Sequence, residues 1–295
     1  MTAPAVAAQG ARRFARSRSD TRRLWVDRVM RTVALVAAVA CIVPLAAIVL
    51  YVVVNGLPAL NLDLLTKPAR ALGQGGGAAA AILGSIQMVL LASLIAIPLG
   101  VAAGIYISEF GARRSARGIR FAADVLVGVP SILIGIFVFT ILVLPFKQYN
   151  AFAGSVALAV IMAPVIMRTT EEILKLVPAT YREASLGLGI PRWRTILSVV
   201  VRIGLPGVLT GVMLAVARAA GETAPLLFTA LGSRLINVGD FSKPMDALPI
   251  FIYVNARQPF ELQKQQAWGA ALLLLAFVLV VNILVRARTL GRRAG

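Results

Sequence analysis

The sequence predicts an all-α integral membrane protein with six membrane-crossing helices. Three observations lead there. Hydrophobic residues make up 59% of the 295 residues and charged residues only 14%, where a soluble domain carries roughly a quarter charged. Six apolar segments each approach the roughly twenty residues that a helix needs to cross a hydrocarbon core of about 30 Å. A polar stretch of about 35 residues separates the fourth segment from the fifth, which itself carries an Arg and a Glu.

The segments fall at Thr32–Val54, Ala79–Ile107, Phe121–Leu144, Phe152–Arg168, Gly204–Leu231 and Ala267–Val285. Pro44, Pro98, Pro130, Pro164, Pro206 and Pro225 recur within them or at their ends. Membrane helices carry such prolines where neighbouring helices re-satisfy the backbone. Residues 1–31 form a basic tail rich in Arg, Ala and Ser, expected to be disordered at first and helical close to the membrane. Thr21-Arg22-Arg23-Leu24-Trp25-Val26 faintly resembles a twin-arginine export signal. The apolar stretch after it is too long for a removable signal segment, so a retained first helix is expected. Residues 32–287 form the transmembrane domain and 288–295 a short basic C-terminus.

A net charge of +18 could suggest nucleic-acid binding, but its placement argues for topology instead. One side holds the basic tail, Arg113, Arg114, Arg117 and Arg120, the long polar loop with Lys175, Arg182, Arg192, Arg194 and Arg202, and the basic C-terminus. That side carries roughly three times as many Lys and Arg as the other, which puts both termini and the long loop in the cytoplasm. No nucleic-acid partner is expected. The chain contains no His, and Cys41 is its sole cysteine. Intrachain disulfides and Cys-based metal sites are therefore excluded, and the commonest general base and metal ligand is missing. No catalysis, cofactor or metal is expected. The loop Gly73-Gln74-Gly75-Gly76-Gly77 lacks the Lys-Ser/Thr ending of a nucleotide-binding loop and reads as a flexible linker. The loop at 232–266 reads as a solvated connection or as a contact for an extracytoplasmic partner.

Two places carry candidate function. In the cytoplasmic loop at about 173–203, Pro178 suits the first turn of a helix that Gly187 and Gly189 would end. Such a helix could lie amphipathically on the membrane surface or insert into a groove on a cytoplasmic partner. In the fifth segment, Gly207, Gly211, Arg218 and Glu222 lie within about 60° of one another on an ideal helix. Gly207 and Gly211 permit close helix packing. Charges there must face protein or water. Arg218 and Glu222 could merely hold the bundle together, or line an anion path in which Arg218 offers a fork of donors, oriented by Glu222. Arg168 could join that path or snorkel to the interface.

Glu183-Ala184-Ser185 followed by Gly189 resembles the EAA loop of ABC importer permeases. Val129-Pro130-Ser131-Ile132, Arg168-Thr169-Thr170-Glu171-Glu172, and the run from Ala217 through Arg218, Gly221-Glu222-Thr223-Ala224-Pro225 to Leu227 are similar to the phosphate-specific permeases of the PstA type. Pro98-Leu99-Gly100 and Ile105-Tyr106-Ile107-Ser108-Glu109 fit too, so the resemblance covers about 82–285. Ser185 stands where Ala is common, and Val201-Arg202 where a Leu-Pro pair is frequent.

The resemblance implies a multi-pass subunit of the bacterial cytoplasmic membrane with an EAA-type coupling helix between spans four and five. Its implied partners are a second, related permease in a heterodimer, an ATPase pair that hydrolyses the ATP, and an extracytoplasmic phosphate-binding protein. It assigns Arg182, Glu183, Ala184, Ser185 and Gly189 to ATPase coupling. The substrate path is expected at Arg218, Glu222 and Thr223, with Arg168 either in it or only snorkelling to the interface. Rivals are a permease for phosphonate, sulfate or molybdate, a self-contained channel or secondary transporter, and a membrane anchor without transport.

Overall fold

The computed structural model describes residues 18–71 and 73–291. The expected disorder of residues 1–17 and the last basic residues, 292–295, lie outside the described residues. The described residues form helices and loops, with one isolated bridge between Ala69 and Gly76 as their only β pairing.

The first of two compact units ends at Val53 and consists of α1, Arg18–Gly56, whose last residues belong to the second unit. At 39 residues it is about 58 Å long, nearly twice a hydrocarbon core. The residues from Arg18 to Arg31 are thus helical and overhang that core.

The second unit contains α2 (Leu62–Thr66), α3 (Ala79–Phe110), α4 (Arg114–Gly128), α5 (Ser131–Val138), α6 (Ala151–Lys175), α7 (Ala179–Gly187), α8 (Arg192–Thr195), α9 (Val201–Ala220), α10 (Ala224–Thr229), α11 (Leu248–Ala256) and α12 (Glu261–Gly291). Five helical stretches are long and apolar enough to cross a membrane, and six if the bent pair α4–α5 counts as one span. Helix α6 is the centre. Asn150 caps it by accepting from the Ala153 N–H at 2.7 Å, and Leu158, Met162, Ile166 and Leu174 are buried along it. Helices α3 and α9 both pack on α6 through small residues. A Cβ added at Gly207 would come 2.7 Å from Ile173 Cγ2, and one at Gly211 would strike Thr169. The expected packing role of Gly207 and Gly211 has its partner in α6.

Three expectations need correcting. The third span, expected to run unbroken from Phe121 to Leu144, is two helices bent by 105°. Pro130 lacks an N–H and pushes Val129 (φ −72°, ψ 129°) out of the helical region. The fifth span, expected from Gly204 to Leu231, instead runs from Arg192 to Ala220, with a widened π turn at Ile196–Val200 before α9. It stops at Gly221, where Pro225 already occupies the first turn of α10. The long polar loop is mostly helical: only residues 176–178 and 188–191 separate α6, α7 and α8.

The two loops at the opposite end of α3 are also better packed than expected. Gly73, Gly75 and Gly76 have φ of 81°, 80° and 105°, and a Cβ at Gly76 would lie 2.6 Å from the Arg70 nitrogen. The glycine run is a fixed tight turn rather than a linker. In the later loop, Met245, Asp246, Ala247, Leu248, Ile250 and Phe251 are buried, and the Leu248 N–H donates to Ser85 Oγ at 2.7 Å. That loop folds back onto α3.

Candidate functional site: a braced surface helix and an open ion pair

Helix α7 carries the Glu183-Ala184-Ser185 triplet. Glu183 and Ala184 are exposed and Ser185 is buried. Ser185 Oγ lies 2.9 Å from Thr195 Oγ1, so the hydroxyl at this position finds a buried partner at the end of α8. Gly189 has φ +78°, the left-handed conformation that ends helices and that glycine adopts without strain. Nothing lies within 4 Å of the position its Cβ would take. Leu188 beside it is 81% exposed, and Leu176, Tyr181, Leu186 and Trp193 are also exposed.

Arg182 faces inward. Its guanidinium donates to Glu109 Oε1 at 2.9 and 3.2 Å and to the Val177 and Leu174 carbonyls at 2.7 and 3.1 Å. These two carbonyls lie in and just past the last turn of α6, where the helix dipole favours a cation. Arg192 donates to the Glu109 carbonyl at 2.9 Å and lies over the Phe110 ring at 4.8 Å. The end of α3 therefore holds both α7 and α8. The sequence marks Glu109 only within the family-like stretch Ile105–Glu109, because no spacing rule joins it to an Arg 73 residues away.

Arg168 stands in a separate ionic cluster. Its Nε is 3.0 Å from Asp124 Oδ1 and its Nη1 3.4 Å from Glu171 Oε2. Glu171, 0% exposed, also pairs with Arg120 at 2.6 Å and Lys175 at 2.5 Å. This carboxylate ties α4 to α6 below the bend at Pro130. No described hydrogen bond or ion pair links Arg168 to Arg218 or Glu222. The structure groups it with the bundle's ionic fastening rather than with that pair.

Arg218 is the last charge of α9, and its side chain is 55% exposed; Glu222 is 16% exposed. Nε and Oε1 stand 3.8 Å apart, close enough for attraction but too far for a hydrogen bond. The shared helical stripe that placed Glu222 does not hold, since α9 ends at Ala220. Glu222 instead sits in the break between α9 and α10, its N–H donating to the Ala219 carbonyl at 3.1 Å. Thr223 occupies the N-cap position of α10 but makes no side-chain cap. A guanidinium with free donors and a carboxylate beside it on unwound backbone can receive an oxyanion and one of its protons.

The family model for binding-protein-dependent transport system inner membrane components matches residues 96–289, well over half of the chain. The chain belongs to that family. Within it, the phosphate transport system permease protein PstA of Pasteurella multocida is 41% identical over 261 residues, covering 88% of this chain and 93% of its own length. The protein of the same name from Xylella fastidiosa (strain Temecula1) is 43% identical over 241 residues, covering 81% and 84%. Among solved structures, an inward-facing conformation of the MetNI methionine ABC transporter superposes with a TM-score of 0.61 at 15% identity, covering 72% of this chain and 94% of the other. At that identity the likeness is one of fold.

Proposed function

We propose that this chain is a membrane-spanning subunit of an ATP-driven importer of inorganic phosphate. The chain is a transport component of an ABC system and not an enzyme, and it is a multi-pass membrane protein. The observation that carries the substrate is the identity of more than 40% over most of the chain with phosphate permeases. Phosphonate, sulfate or molybdate would require relatives of a different kind at that level.

In this reading α7 docks on an ATPase pair in the cytoplasm, in keeping with the positive-inside distribution of Lys and Arg. Glu183, Ala184 and the apolar side chains around Leu188 supply the contact. Arg182 and Ser185 hold α7 to α3, α6 and α8, so that movement of the ATPase reaches the bundle. A second, related permease pairs with this one, and an extracytoplasmic binding protein delivers phosphate at the opposite end. Arg218 offers the anion its paired N–H donors and Glu222 accepts from a protonated oxygen, with Thr223 beside them. The exposure of Arg218 in the isolated chain suits a residue that lines a path completed by the second permease. Arg168 fastens α4 to α6 beside that path.

Labelled phosphate uptake by the assembled transporter tests this. The double variant Arg218→Met/Glu222→Leu should insert and hold its ATPase yet move no phosphate, and Arg218→Lys should be impaired for want of the planar fork. Uptake near the parent rate in the double variant would show that the pair is scaffolding.

A further inference from the structure

A cavity of about 210 Å³ lies among the loops at the end of α3 far from the coupling helix. The glycine turn before α3, the loop after α10, α11 and the first turns of α12 enclose it. Two guanidiniums, Arg70 and Arg234, line it, and neither has a hydrogen-bond or ion-pair partner among the described residues. Asp246 lines it too, buried, with Oδ1 accepting from the Ala247 N–H at 2.9 Å. Although they share one cavity, neither Arg pairs with Asp246. Gln263 also lines it, only 3% exposed, and its buried Oε1 lacks any hydrogen-bond partner. A buried acceptor left unmade costs free energy comparable to a lost hydrogen bond, so a donor from outside the chain is its natural complement.

The cavity therefore combines two unpaired planar donors with two buried acceptors. A fully ionised tetrahedral anion would satisfy the guanidiniums and leave the acceptors facing bare oxygens. A tetrahedral oxyanion that still carries a proton satisfies both, because its ionised oxygens accept from Arg and its hydroxyl donates to Gln263 or Asp246. We propose that this cavity is a first binding stage for a protonated oxyanion on the side from which substrate is delivered, selecting phosphate over sulfate before the anion reaches Arg218. The proposal rests on the phosphate-transport reading above. Burial pushes the Asp246 carboxyl up to about 7, which weakens its repulsion of an incoming anion near neutral pH. Arg70 and Arg234 are the other charged groups lining the cavity.

Cysteine protection in the assembled transporter, without its binding protein, tests the stage directly. Ser233, half-buried at the cavity wall, is replaced by Cys in a Cys41→Ser background and modified by a neutral maleimide, read by mass on this chain. Millimolar inorganic phosphate should slow modification about fourfold, as three-quarters occupancy implies, and sulfate at equal ionic strength should not. Arg70→Gln/Arg234→Gln should abolish protection; both side chains are exposed, so this variant leaves the packed interior intact. Gln263→Met should erase the preference for phosphate over sulfate. No protection by phosphate in the parent, equal protection by sulfate, or protection surviving in the double Gln variant would each overturn the proposal. Adding Arg218→Met separates the two readings. It should stop uptake if that residue lines the path, while Ser233→Cys stays protected by phosphate.

Discussion

Two groupings of Arg and Glu in the helical bundle, one around Glu171 and one at Arg218 and Glu222, are built in opposite ways. Around Glu171 the Arg120 and Lys175 contacts are 2.6 and 2.5 Å, the carboxylate is sealed from solvent, and Arg168 completes three cations from two helices that converge on it. At Arg218 and Glu222 the separation is 3.8 Å and the guanidinium is more than half exposed. A carboxylate already saturated with donors has little left to offer a passing anion, whereas a loosely held guanidinium keeps its donors available. Residue identity alone does not separate the two groupings; the degree to which each charge is already satisfied does.

That contrast predicts a ranking of folding costs. Glu171→Leu should be the most destabilising, by about 3 kcal/mol. This is the lower end for breaking a buried pair, because Lys175 remains half exposed. Thermal unfolding of the purified chain in detergent should show it, and a melt unchanged from the parent would mean that the cluster is not a fastening. Arg182→Ala should cost about 2 kcal/mol, since it strips charge-assisted bonds from Glu109 and from two helix-end carbonyls. Glu183→Ala next to it should leave the melt alone and weaken capture of the ATPase. The reverse pattern would exchange the roles of brace and contact.

Gly189→Ala should cost about 1 kcal/mol, because only the left-handed backbone resists it and the space beside it is open. A bulky but unbranched substitution such as Gly189→Leu that costs several times more would reveal packing absent from the isolated chain. A small folding cost, under about 1 kcal/mol, belongs to Arg218→Met/Glu222→Leu, as for other loosely held pairs. The same variant should abolish uptake. Finding the large folding cost at Arg218 instead of at Glu171 would dissolve the contrast.

Much of this architecture is legible in the sequence because bilayer thickness acts on composition over twenty residues at a time. All six apolar segments correspond to helices, and the small residues at Gly207 and Gly211 point to a close neighbour, which is α6. Sequence periodicity fails where one residue ends a helix. Pro130 bends the third span although the apolar pattern continues through it, and Gly221 stops α9 four residues short of Pro225. The ideal-helix angle that puts Glu222 on the stripe with Arg218 assumes a helix that in fact ends at Ala220. The Glu109–Arg182 and Ser185–Thr195 contacts were illegible for another reason: each joins residues on different elements, and local pattern rules reach only about one helical turn. Glu171 was visible as part of a matching stretch, but its role depends on Arg120 arriving from a helix 51 residues earlier.

The stretch from Arg192 to Ala220 forms a span of 29 residues, and this has a mechanical consequence. Its foot is gripped by the hydroxyl contact between Thr195 and Ser185 of α7, and its far end carries Arg218, about 35 Å away at the rise of a helix. A rod of that length is a lever. A tilt of only about 5° at the foot would sweep the guanidinium sideways by about 3 Å, the full length of a hydrogen bond. Small displacements of α7 are thus enough to make or break every contact Arg218 offers, with no change in the rod itself beyond flexing at the widened turn at Ile196–Val200.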